Sequence, residues 1–328
     1  MTASASSQRV HRFADIQTAP PDAILGLTEA FLADTHPNKM NLSVGVYKDA
    51  SGQTPVLRCV KEAERRLLES EKTKGYLPID GLPDYRDAVR KLVFGDAIAA
   101  SRVAVVQSPG GTGALRIAAG FLASQLAPIR IWLPLPTWEN HQSVFASEGL
   151  AIESYRYLAD DRKSLDVDGL LDDLRHKTTV GDAVLLHACC HNPTGVDPTA
   201  DQWSEIAKVI AEKQLLPVID FAYQGFGNGL HEDGVAIAAI LRCCDEALVC
   251  SSFSKNFGLY SERVGAMSLV AADESMARAS QSQLKRVVRC NYSNPPRHGA
   301  AIVATVLTDT GLTEQWHQEL AEMRNRIK

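Results

Sequence analysis

The stretch Ala247-Leu-Val-Cys-Ser-Ser-Phe-Ser-Lys-Asn-Phe-Gly258 sets an apolar run, Ala247 to Cys250, against a serine-rich turn that holds one lysine, Lys255. Four apolar residues bounded by turn chemistry read as a buried strand. Working outward, the same alternation repeats. Val103–Gln107, Arg130–Leu133, Ala183–His187, Leu216–Asp220 and Val264–Val270 read as strands, with this one running from Ala247 to Ser251. Between and after them Gly113–Leu126, Glu139–Ser147, Gln202–Lys213 and Glu274 to Arg289 read as helices. Strand–helix alternation of this kind predicts an α/β fold, a mostly parallel sheet flanked by helices on both faces. Such sheets bind ligands beyond the carboxyl ends of their strands, and functional residues are expected there.

The remainder of the chain is less regular. Pro20-Pro21, Pro37-Asn38 and Gly52 break the first part into short pieces that read as an extended arm, feeding a helix over Val56–Glu71. At the other end Leu312, Trp316, Leu320, Met323 and Ile327 fall on one helix face. No cap or stop follows before Lys328, so the stripe is expected to need packing partners beyond the chain's end. The opening MTASASSQRVHR is basic, Ser-rich and free of acidic residues before Asp15. Transit peptides and plain polar tails share that composition, and a tail is the simpler reading.

Bulk properties bound the function. With 328 residues, 45% hydrophobic and 22% charged, the chain can bury a core without disulfides or metals. A net charge of -5 offers no field for nucleic acid, so an anionic substrate must be met by local arginines. No apolar stretch approaches a membrane span. Seven cysteines, four of them in the adjacent pairs Cys189-Cys190 and Cys243-Cys244, show no disulfide framework and point to a reducing, cytoplasmic compartment. His187-Ala-Cys-Cys-His191 is dense in ligand types, but it follows an apolar strand and lacks the spaced pairs of a zinc site, so no metal is expected.

Several strand ends carry chemistry. Desolvation of Lys255 at the end of a buried strand would lower its pKa and make the amine a nucleophile; the alternative is a surface lysine. Gly110-Gly-Thr-Gly113 opens a helix after a strand, so its backbone N–H groups suit a phosphate, although a tight turn would look the same. It is neither a Walker loop nor GxGxxG. Ser252, Ser254 and Arg263 could share in holding that phosphate. Asp220 ends an apolar strand and needs a cationic partner, such as a protonated pyridine nitrogen, or else serves as a helix cap. Asn192, in Asn-Pro-Thr-Gly195, puts an amide at another strand end, and Trp138 puts a flat aromatic at a third.

Six longer motifs carry a family resemblance. They are NLSVGVYKD at 41–49, GGTGAL at 110–115, CCHNPTG at 189–195, DFAYQGF at 220–226, SFSKNFGLYSERVGA at 252–266 and NYSNPPRHGA at 291–300. The chain resembles class I, fold-type I aminotransferases that depend on pyridoxal 5'-phosphate, closest to the aspartate aminotransferases, from about Pro21 to Lys328. The resemblance implies the fold-type I transferase architecture with an incomplete small domain. Residues 1–54 would be an arm and small-domain portion, 55–308 the large cofactor-binding domain, and 309–328 the start of an interdomain helix. It further implies that Lys255 forms the Schiff base with the cofactor and shuttles the proton at the substrate Cα. Asp220 would pair with the pyridine nitrogen, Tyr223 and Asn192 would hydrogen-bond the ring's phenolic oxygen, and Trp138 would stack on the ring. Gly111, Thr112, Ser252, Ser254 and Arg263 would hold the phosphate, joined by Tyr76 from the neighbouring subunit of a homodimer. Arg289 would clamp a substrate's distal carboxylate across that interface, and Gly45 lies where a mobile substrate-side segment passes.

The reaction so implied converts L-aspartate and 2-oxoglutarate into oxaloacetate and L-glutamate, with other dicarboxylic amino acids and 2-oxo acids as the substrate class. Aromatic amino acid aminotransferases share these motifs, and a shortened cofactor-binding relative with little activity is the other alternative. Two departures stand out. Ser43 replaces a usual glycine, and the segment that carries the arginine for the substrate α-carboxylate has no counterpart before Lys328.

Overall fold

Seven strands form one mixed sheet in the computed structural model, which describes residues 11–13, 15–19, 26–40 and 45–328. Readings that fall on the first ten residues, on Pro20-Pro21 and on Asn41–Val44, Ser43 among them, lie outside the described residues. The strands are β1 (Val103–Pro109), β2 (Arg130–Leu135), β3 (Ala151–Arg156), β4 (Ala183–His187), β5 (Leu216–Phe221), β6 (Ala247–Ser252) and β7 (Val264–Val270). Their spatial order is β1-β7-β6-β5-β4-β2-β3. Strand β7 runs antiparallel to both β1 and β6, and every other pairing is parallel. The carboxyl ends of β1, β2, β4, β5 and β6 therefore share one edge, and β7 begins at that same edge.

Helices cover both faces, which is why the central strands are apolar throughout rather than alternating. In β4 the whole run AVLLH is buried. Val184 and Leu186 join one core, while Ala183 and Leu185 join the other on the opposite face. The first core is roofed by α2 (Arg58–Ser70), α3 (Pro83–Phe94), α6 (Val167–His176), α7 (Ala200–Glu212), α8 (Val235–Cys243), α10 (His298–Thr308) and α11 (Thr310–Ile327). The second lies under α4 (Gly110–Gln125), α5 (Asn140–Ala146) and α9 (Glu274–Asn291).

The strands and helices expected from sequence are present, with ends shifted by a few residues. A strand without a clear apolar period gave no such signal. Edge strand β3 buries only Tyr155 of its six residues, so its sequence AIESYR shows no strand alternation. Strand β7 was legible as a strand, but nothing local marks its reversed direction. The stripe on α11 corrects one expectation. Leu312, Trp316, Leu320 and Met323 pack into this chain's own core, and only Ile327, 61% exposed, is left out.

The chain divides into two compact units, Met1–Val46 and Tyr47–Lys328. In the first, a short helix, α1 (Gly26–Ala33), is followed by a turn tied by Lys39, whose Nζ donates to the carbonyls of Phe31 and Asp34 at 2.6 Å each. The sheet, its helices and all the chemistry below belong to the second.

Candidate active site

At the carboxyl edge of the sheet β5 presents Asp220, and the ends of β4 beside it and of β2 one strand further on surround that carboxylate with imidazoles. His141 Nε2 donates to Asp220 Oδ2 at 3.0 Å. Thr137 Oγ lies 2.8 Å from His141 Nδ1 and 3.1 Å from His187 Nε2, and the Asn192 backbone N–H reaches His187 Nδ1 at 3.4 Å. One set of directions satisfies the whole chain: Asn192 N–H to His187, His187 Nε2–H to Thr137, Thr137 O–H to His141, and His141 Nε2–H to Asp220. Each ring then carries one proton. His187 agrees, since burial pushes its imidazole down to about 4 against the opposing pull of Asp220. His191 stacks on Tyr157 at 3.9 Å and leans on His187 at 4.2 Å, and burial takes its imidazole down to about 2.

Burial alone would push the Asp220 carboxyl up. The His141 hydrogen bond, with a further pull from Lys255, outweighs it and holds the carboxyl below the ordinary carboxylate range. Among the described residues no donor reaches Oδ1, so an ionised oxygen stays free to receive a proton-bearing group.

Lys255 follows β6, half-buried, with its Nζ 4.5 Å above the ring of Tyr223. Burial pushes its amine below the ordinary lysine value; Asp220 works against that, and Arg263 adds to it. Tyr223 sits on the turn after β5, and burial beside Asp220 pushes its phenol up to about 12. An amine made available to react, a phenol kept protonated and an ionised carboxylate thus share one corner.

The third part is a cradle for an anion. Helix α4 starts at Gly110 after β1, and Pro109 gives it no side-chain cap, so its first N–H groups remain open. Gly111 lets that helix end approach β6: an added Cβ would lie 3.0 Å from Ser252 Cβ. Arg263, just before β7, donates from Nη1 to Ser254 Oγ at 3.2 Å and to the Tyr260 carbonyl at 3.0 Å. At Gly110, with φ +74°, any side chain would run into the Arg263 guanidinium. A cavity of about 560 Å³ opens here between Thr112, Arg116, Ser143, Arg263 and Asn291. These groups suit a phosphate, and Asp220 and Lys255 suit the ring and the aldehyde of pyridoxal phosphate.

The structure thus gathers Gly111, Thr112, Trp138, Asn192, Asp220, Tyr223, Ser252, Ser254, Lys255 and Arg263 along one edge. Trp138 is half-buried with its ring edge-on to His141 at 5.2 Å. Two expected residues stand outside the cluster, and a third is not part of the larger unit. Tyr76 is 95% exposed, Arg289 is exposed near the end of α9 and donates to Ser293 Oγ, and Gly45 belongs to the smaller unit. His141, Thr137, His187 and His191 were missed as site residues. A usable signal existed: Asp220 lies near the end of a buried strand and needs a donor, and these residues end β4 or follow β2 and β4.

Residues 37–328 match the family described as aminotransferase class I and II. The chain is 53% identical to the aspartate aminotransferase of Haemophilus influenzae over 319 residues, covering 96% of this chain and 80% of that protein. It is 46% identical to the aromatic-amino-acid aminotransferase of Pseudomonas aeruginosa over 318 residues, 96% of this chain and 79% of that one. Among solved structures, the aromatic-amino-acid aminotransferase of Burkholderia pseudomallei, covalently bound to pyridoxal phosphate, superposes with a TM-score of 0.93 at 46% identity. It covers 97% of this chain and 80% of that chain. The buried lysine, the ionised aspartate and the open helix end accord with these likenesses: the chain belongs to the class I and II aminotransferases, enzymes that use pyridoxal 5'-phosphate.

Proposed function

We propose that the cluster around Lys255 transfers the amino group of L-aspartate to 2-oxoglutarate, yielding oxaloacetate and L-glutamate. The observation that carries the reading is the pairing of a desolvated lysine amine with a buried ionised aspartate at one strand edge. When bound, pyridoxal phosphate supplies an electron-withdrawing ring that stabilises negative charge at the substrate Cα. The chain's own residues do the rest. Open N–H groups of Gly111 and Thr112, the hydroxyls of Ser252 and Ser254, and Arg263 hold the phosphate. Asp220, kept ionised by His141, keeps a proton on the ring nitrogen. Trp138 would stack on the ring, and the Tyr223 hydroxyl and the Asn192 amide would hydrogen-bond its phenolic oxygen. Lys255 would hold and move the proton at the substrate Cα.

Substrate choice rests on Arg289, whose planar guanidinium suits a distal carboxylate. Arg289 and Tyr76 are both exposed on the single chain, and we place them against the active site of a second copy in a homodimer. Gly45 is proposed to border the substrate. Seven free cysteines accord with a cytoplasmic setting. Aromatic amino acids are the second reading, favoured by the 46% identity to the Pseudomonas aeruginosa enzyme.

The test is a visible spectrum of the chain loaded with pyridoxal phosphate, before and after L-aspartate and, separately, L-phenylalanine. Bleaching by aspartate at far lower concentration supports the proposal, and preference for phenylalanine supports the second reading. A band that answers neither amino acid refutes both.

A further inference from the structure

Lys255 and Tyr223 lie on different loops, after β6 and β5, yet their relative position decides whether the amine meets the ring. The residues that follow each of them are tied together. Asn256 Nδ2 donates to the Gln224 carbonyl at 3.2 Å, joining the two loops one residue beyond the lysine and the tyrosine. The Asn256 carbonyl in turn accepts from Trp316 Nε1 at 2.7 Å, so helix α11 holds the same residue from behind. Asn256 is 1% exposed and Trp316 fully buried. Trp316 also stacks on Phe257 at 4.4 Å, and Arg324, two turns along α11, donates to the Gly225 carbonyl at 2.8 Å. The Asn256 Oδ1 is buried with no donor among the described residues. A buried amide with one end unpaired is a poor choice for packing alone, and it calls for a role that an apolar side chain could not fill.

We propose that Asn256 is a positioning residue that sets the Lys255 amine against Tyr223 by clamping their two loops, and that Trp316 fastens the clamp to α11. The inference rests on the reading of Lys255 and Tyr223 as the cofactor-facing pair. Asn256 itself touches neither the reacting atoms nor the ring; it acts through its two neighbours. Releasing the clamp lets the Lys255 loop open to water, and the amine loses the desolvation that makes it reactive.

The test reads the amine directly on the full 328-residue chain freed of cofactor. Reductive methylation with formaldehyde and cyanoborohydride is followed across pH, with Lys255 labelling normalised to the exposed Lys163 in the same sample. The wild-type chain is expected to reach half-labelling at Lys255 below the ordinary lysine value of about 10.4. In Asn256→Ala the half-point should climb by about one pH unit, a tenfold drop in free amine at fixed pH. Trp316→Phe keeps the ring stacked on Phe257 and deletes only the indole N–H, and it should move the half-point the same way. If Asn256→Ala does not fold, Trp316→Phe decides alone. Trp203→Phe, an equally buried change on α7, should leave the half-point where it was. A depressed wild-type half-point that stays put in the folded clamp variants overturns the proposal, as does an equal shift in Trp203→Phe. A wild-type half-point at the ordinary lysine value would instead sink the reading of Lys255.

Discussion

Helix α2 begins without a cap of its own: Leu57 offers no side-chain acceptor. Glu319, from the middle of α11, supplies it. Its Oε1 accepts from the Arg58 backbone N–H at 2.7 Å and from Arg58 Nε at 3.1 Å, and its Oε2 accepts from the Cys59 N–H at 3.0 Å. The carboxylate side chain is only 7% exposed, whereas Arg58 is 69% exposed. Replacing Glu319 by Ala leaves two N–H groups at a buried helix end without partners. Each such loss is worth about 1–2 kcal/mol, close to a lost N-cap. The exposed Arg58 pair adds at most about 1 kcal/mol. Glu319→Ala should therefore lower the unfolding free energy by about 2–5 kcal/mol near pH 7. The pH dependence has a definite sign. Burial pushes the Glu319 carboxyl up, but the Cys59 and Arg58 hydrogen bonds outweigh it and leave the group below its ordinary value. A carboxylate depressed on folding contributes above its unfolded pKa and loses that contribution as pH falls through the folded one. The gap between wild type and variant should thus be full at pH 7 and shrink below the ordinary glutamate value of about 4.3. Urea titrations of both chains at several pH values measure it. A gap under about 0.5 kcal/mol at pH 7, the usual range of surface substitutions, would refute the capping argument. So would a gap that persists unchanged in acid.

Three further outcomes are expected. Gly225 has φ +95° and faces Leu320 of α11, so Gly225→Ala is strained in its backbone and forces the helix outward. A loss of about 2 kcal/mol or more in urea is expected, and an unchanged midpoint would contradict the close approach. His141→Leu removes the donor to Asp220 and strands a buried carboxylate, so the cofactor-free chain should lose about 3–5 kcal/mol at pH 7. Because the wild-type Asp220 is held below the ordinary range, its contribution also fades as pH falls, and the two chains should converge in acid when followed by circular dichroism. Arg289→Leu should lower kcat/KM for L-aspartate by about 10–150-fold, the equivalent of one charged contact of roughly 1.5–3 kcal/mol, while L-phenylalanine is affected far less. Equal losses on both substrates would remove Arg289 from substrate selection.

Local sequence determined the central strands, because burial on both faces demands the uninterrupted apolar runs of β4, β5 and β6. It also placed Lys255, Asp220, Asn192 and Gly111 at or just beyond strand ends, since turn chemistry follows each apolar run. Strand β3 was not legible, whereas helices α3 and α6 do carry a helical apolar period, Tyr85, Ala88, Val89 and Val93 in one and Leu170, Leu171 and Leu174 in the other. Edge strand β3 is mostly exposed, and its residues obey no period.

Only the tertiary structure decided what those strand ends do to one another. The order β1-β7-β6-β5-β4-β2-β3 brings His141, on α5 after β2, beside Asp220 of β5, and that contact holds the carboxyl ionised against its own burial. It folds the apolar stripe of α11 back onto this chain's core, although the stripe alone pointed to partners elsewhere. Apolar patterning records which residues leave water, because that preference belongs to each side chain. The partner a polar group meets after burial depends on chain segments far apart in sequence, and no local pattern records it.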